Sequence, residues 1–295
     1  THLETYIPFN QVDPAYLSLG ALLSQPIGSP AVVAAGSSAP SAGFTGTLAQ
    51  ALRPYPQYNN IVSTYMGGGA ASYNALQVKV EKRYSALTLL ANYTWEKNLS
   101  INGAYTNAGN GVAPQDQYNL GVEKALSIQD VPQTSNLMYT WDLPFGRGRK
   151  FLNNSNGLVK TIVGGWTIAG IHQYRSGLPI LINAPVNTLG PGVLFTPQLR
   201  VITTGSEIQT GVDRTSLDPN NPSVRWLNRA AFAVPGAYQF GTASPYLNDV
   251  RNPPLLTESL SLVKRTTIKE RLNLEFRTDI SNLFNRTSFG GINVN

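Results

Sequence analysis

The chain has 295 residues and no cysteine, which excludes disulfide staples and thiolate metal sites. Charged residues make up 13% of it, about half the share usual in a soluble globular protein, so tyrosine, asparagine, serine and threonine carry much of its polarity. The net charge of +6 comes without a basic stripe or a recognition helix, and no nucleic-acid partner is expected.

Residues 1–73 read mainly as a long loop. One short helix is expected in DPAYLSLGALL, with Asp13 as cap and Pro14 at the first helical position. Residues 74–97 then alternate, with Leu90 as the exception. Leu76, Val78, Val80 and Tyr84 share one face, opposite Lys79, Glu81 and Arg83. Beyond a Ser85–Ala86 reversal, Leu89, Tyr93 and Trp95 continue the apolar face, so the segment predicts a hairpin. Strands of about 11 residues span ~36 Å, or ~28 Å of height when tilted by ~40°, which is about twice an ordinary strand.

Residues 98–128 form a second loop, and 129–175 a second strand pair. There Tyr139 and Trp141 extend the apolar face, while GGWTIAGIHQYRSG (164–177) is a weaker strand. Between them lies PFGRGRKF, the densest basic cluster, with Arg147, Arg149 and Lys150. A solvated turn is the preferred reading, with an anionic partner such as nucleic acid or lipid headgroups as the alternative. Residues 176–254 form the longest loop. The last hairpin, 255–285, sets Leu272, Leu274 and Phe276 against Glu275, Arg277 and Asp279, while Glu258 interrupts its apolar face.

Six long strands, short turns at one end and long loops at the other describe a partial antiparallel up-and-down transmembrane β-barrel, all-β in class. The apolar and aromatic residues are its lipid-facing and aromatic-belt candidates. Lys79, Glu81, Arg83, Glu275, Arg277 and Asp279 are candidates for the lumen wall, where opposite charges pair across strands. Alternation alone also fits a soluble β-sandwich.

No catalytic or metal site is expected. His2 and His172 stand apart, and Asp213, Asp218, Asn220 and Asn221 read as an Asx-rich turn rather than a calcium loop. The loop aromatics Tyr55, Tyr58, Tyr105, Tyr118, Trp226, Phe232, Tyr238 and Tyr246 serve either ligand stacking or loop packing.

YNALQVKVEKRYSALTLLANYTWEKN, DVPQTSNLMYTWDLPFGRGRKFLNNSNG, GGWTIAGIHQYRSGLPI and KERLNLEFRTDISNLFNRTSFG resemble, in that order, the C-terminal barrel half of TonB-dependent receptor-like proteins of the Oar-like type abundant in acidobacteria. The resemblance implies a 22-stranded barrel with a plug in a Gram-negative outer membrane. It also implies uptake of a bulky, unidentified solute driven through TonB, without a cofactor or an enzymatic step. On this reading the implied partners are outer-membrane lipid, the plug and the remaining strands. The chain itself is then a fragment that starts and stops inside the barrel. A surface adhesion or binding module without transport is the alternative.

Overall fold

The computed structural model describes residues 2–101, 114–146, 148–154, 156–190, 193, 199–213, 217–218, 220–221, 223–268 and 272–291. Six long strands form its frame: β2 (Val62–Tyr84), β3 (Leu87–Ile101), β5 (Gln133–Asp142), β6 (Trp166–Arg175), β9 (Leu255–Ile268) and β10 (Leu272–Ser281). Shorter strands are β1 (His2–Pro8), β4 (Lys124–Leu126), β7 (Ile202–Thr203) and β8 (Phe232–Ala233).

The main sheet runs β1-β2-β3-β5-β6-β9-β10, with β4 attached to the far end of β3. Every neighbouring pair is antiparallel, so the chain climbs and descends in simple succession. The β2–β3 register runs without a slip from Ala71↔Ser100 to Tyr84↔Leu87. Ser85 closes that hairpin at φ 50°, and left-handed geometry at the first turn residue suits the twist of the flanking strands. The sheet is open: β1 and β10 are its outer strands, and β1 covers only the 62–70 portion of β2.

Burial is inverted relative to a soluble β-protein. Among the described residues of the six long strands, Val263 is the single buried hydrophobic. The continuous apolar core lies instead in the loops, where Val12, Leu23, Val32, Leu48, Leu189, Leu199, Trp226 and Val250 pack together. A soluble sheet must hide at least one face against another layer. No second layer covers this one among the described residues, so the β-sandwich alternative loses its physical basis.

Several expectations need correction. The 1–73 segment holds β1 and the first part of β2 as well as loop. The helix read in DPAYLSLGALL is a 3-10 run, Pro14–Ser24. Asp13 caps it by accepting from Ala15 N at 2.9 Å, and Gly20 kinks it at φ 53°. It is not the one loop helix: α1 (Pro30–Ala34) and α2 (Leu48–Ala51) lie in the same loop, and α3 (Gly157–Val163) precedes β6.

Candidate functional site

Paired residues in an antiparallel sheet point to the same side, so the register sorts the side chains into two faces. Leu76 pairs with Trp95, Val78 with Tyr93, and Tyr84 with Leu87. Leu89 pairs with Tyr139, and Leu87 with Trp141. Trp141 leads through Ile168 and Leu262 to the β10 face carrying Leu272, Leu274 and Phe276. All twelve apolar candidates therefore share one face of one sheet. Ten of them are exposed, Tyr84 at 72% and Phe276 at 60%, while Leu89 and Tyr139 are half-buried.

Aromatic residues mark two levels on this face. Tyr93, Trp95 and Tyr174 lie toward the long loops, and Tyr84, Trp141 and Trp166 toward the short turns. From the Trp95–Leu76 pair to Tyr84 is eight residues along β2. That is about 26 Å of strand, or about 20 Å of height at a ~40° tilt, close to the apolar band of an outer-membrane barrel.

The opposite face collects all six charged candidates but not into one site. Lys79, Glu81 and Arg83 stand on β2, and Glu275, Arg277 and Asp279 on β10, with four strands between them. Within each group the charges are paired. Glu81 meets Lys79 and Arg83 at 3.4 Å each, and Arg277 meets Asp279 at 2.9 Å, all along single strands. Among the described residues of this face, Arg265–Glu275, at 2.8 Å, is the ion pair that crosses between strands. A hollow of about 350 Å³ on this face is lined by Leu90, Met138, Ala169, Ile171 and Ser261, and by Arg277 of the second group.

Two contacts on the apolar face escaped the sequence reading. The Tyr139 ring lies over Gly170, where an added Cβ would fall 2.4 Å from ring carbon Cζ, and it stacks on His172 at 5.7 Å. An aromatic ring covering a cross-strand glycine supplies the packing that the glycine lacks. Gly170→Ala is expected to turn the ring outward and cost about 1 kcal/mol, measured as a lower urea midpoint for unfolding from vesicles. An unchanged midpoint would show that the ring carries no weight there. The second is that of Glu258, fully buried on this face, whose Oε1 accepts from Arg286 Nε at 2.9 Å. The interruption at Glu258 was visible in the sequence; its partner, 28 residues on, gave no signal.

Above the wall, the loops form a folded cap held by buried polar groups. Gln11 donates to Gln115 O at 2.7 Å, and Gln115 donates to Gly241 O at 2.7 Å, so three loops meet in one chain of bonds. Glu123 Oε1 accepts from Gln115 N and from Arg200 Nη2, both at 3.1 Å. Burial lifts the Glu123 carboxyl above its ordinary value despite the Arg200 charge, and lowers the Arg200 guanidinium. A second tie joins Arg251 Nη2 to Asp130 Oδ2 at 2.5 Å, and Asn98 N donates to Asp130 Oδ1.

The loop aromatics divide between packing and display. Trp226 and Tyr246 are buried, Phe232 and Tyr238 pack on the cap core, and Tyr55, Tyr58 and Tyr118 are exposed; Tyr105 lies outside the described residues. Asp218 and Asn221 accept from backbone amides two residues on, as Asx turns do.

Comparison with protein families decides the class. Residues 1–295 match the model described as "Outer membrane beta barrel domain". The chain belongs to that family. Its barrel domain is therefore an outer-membrane one, and its all-β antiparallel wall is the family's fold seen as an open sheet. No helix of this barrel domain, among the described residues, is long and apolar enough to cross a membrane. No curated protein and no solved structure matches the barrel domain.

Proposed function

We propose that this chain is wall and cap of a TonB-dependent outer-membrane transporter that takes up a bulky solute and catalyses no reaction. One observation supports the reading most: a single sheet carries an exposed apolar, aromatic-edged face and a charge-paired polar face, beneath a folded cap of loops. On this reading the apolar face meets lipid and the polar face lines the lumen, against a plug and the solute. The free edges of β2 and β10 take further strands, because an unpaired edge in lipid costs several kcal/mol per backbone group.

Energy coupling is the testable part. A cysteine placed at Glu275 of the full-length protein is unique in this chain, which has none of its own. In cells, its labelling by a bulky maleimide is expected to slow when a protonophore removes the driving force, because the plug then stays seated. An equal rate with and without the protonophore removes TonB-driven transport. It would favour the second reading, a surface adhesion or binding module, which the exposed Tyr55, Tyr58 and Tyr118 on the cap support.

A further inference from the structure

The turn between β5 and β6 carries a group of apolar side chains that the barrel reading leaves unexplained. On α3, Leu158 is 76% exposed and Ile162, one turn on, is 65% exposed. Phe151 and Leu152 of the same connection are exposed as well. Val159 and Val163 occupy the half-buried side of the helix. A seven-residue helix thus turns large aliphatic residues outward as well as inward.

Its position is fixed at the rim of the apolar face. Trp166 Nε1 donates to Ile162 O at 2.9 Å. Lys264 Nζ donates to Thr161 O at 2.5 Å and to Gly164 O, and lies 5.5 Å above the Trp166 ring. Trp166 and Lys264 are paired on the apolar face, level with Phe276. The outward aliphatics of α3 therefore continue the apolar band past its aromatic edge, on the short-turn side, which in outer-membrane barrels is periplasmic.

Beside them stand cations. Lys150 Nζ lies 5.5 Å over the Phe151 ring, and Arg149 is exposed with a loose 3.5 Å contact to Asp142. Apolar side chains edged by Lys and Arg at a water–lipid boundary are the chemistry of a helix lying in the membrane surface.

We propose that α3 and the basic turn before it form an interfacial anchor for the anionic phospholipid surface of the periplasmic leaflet. Leu158 and Ile162 enter the acyl boundary, and Arg149 and Lys150 meet lipid phosphates. The anchor rests on the apolar face meeting lipid, and its test separates the two.

Spin labels on Leu158→Cys, Ile162→Cys and Val80→Cys are read in the full-length protein in phosphatidylethanolamine vesicles, with and without phosphatidylglycerol. At all three sites dissolved oxygen is expected to relax the label more than an aqueous nickel chelate does. At 158 and 162 phosphatidylglycerol should deepen that preference, and Arg149→Gln with Lys150→Gln should abolish the effect. A water-exposed label at 158 and 162 beside a lipid-exposed one at 80 overturns the anchor alone. A water-exposed label at 80 overturns the lipid-facing reading and the anchor with it. If a labelled variant fails to insert, a lipid-dissolved carbene reagent applied to the unaltered protein decides: modification of 158–162 supports the anchor, and its absence refutes it.

Discussion

Glu123→Ala is expected to weaken the cap by about 3–5 kcal/mol, because the truncation strands the Arg200 guanidinium in a site where it is 4% exposed. The loss goes beyond one ion pair. Glu123 also accepts from Gln115 N, and Gln115 joins Gln11 and Gly241, so one truncation loosens three loops together. Glu123→Gln keeps an acceptor for both donors but removes the charge facing Arg200, and is expected to cost about 1.5–3 kcal/mol, the worth of a hydrogen bond to a charged group. Urea-dependent protease sensitivity of the cap, read in the inserted protein, ranks parent above Gln above Ala. If the alanine variant resists protease as well as the parent does, the buried network does not hold the cap together.

Val80→Arg is expected to cost about 2–4 kcal/mol of folding into a bilayer, the range for arginine near the midplane on a lipid-facing strand. Val80 lies between the Trp95–Leu76 level and Tyr84, and its cross-strand neighbours on this face are Ala91 and then Leu137, so the new cation has no anion beside it there. Its sequence neighbour supplies the control. Glu81→Gln breaks two contacts of 3.4 Å between exposed side chains and is expected to change stability by no more than about 1 kcal/mol. The measurement is a urea titration of folding into vesicles. Equal tolerance at 80 and 81 would remove the assignment of the faces to lipid and lumen.

How much of this was legible in the sequence follows from which contacts are periodic. The β2–β3 and β9–β10 hairpins were visible because each residue's environment repeats every second position, and Leu76 to Val80 or Leu272 to Phe276 need no knowledge of distant chain. β1 was missed because its pairing slips at Thr5, so HLETYIP does not alternate cleanly against its partner. The upper part of β2 was missed because MGGGAAS has the composition of a loop. Asp13 was read correctly as a cap because its bond reaches only two residues on. Gln11 with Gln115, or Arg286 with Glu258, leaves no local trace: those partners meet only after the loops have folded. The cap was therefore invisible as a folded body while the wall beneath it was plain.

The length of β2 has a mechanical consequence. Its 23 residues run about 76 Å, far more than a bilayer requires, so on the proposed lipid-facing reading the part paired with β1 extends beyond the membrane and joins the cap to the wall as a continuous strut. That strut is not uniformly stiff. Gly67 to Gly69 sit where the β1 pairing is irregular, and glycine gives a strand neither side-chain packing nor restricted backbone torsions. Bending of β2 is expected to concentrate there, read as faster backbone amide exchange at 67–69 than along the β2–β3 pairing below.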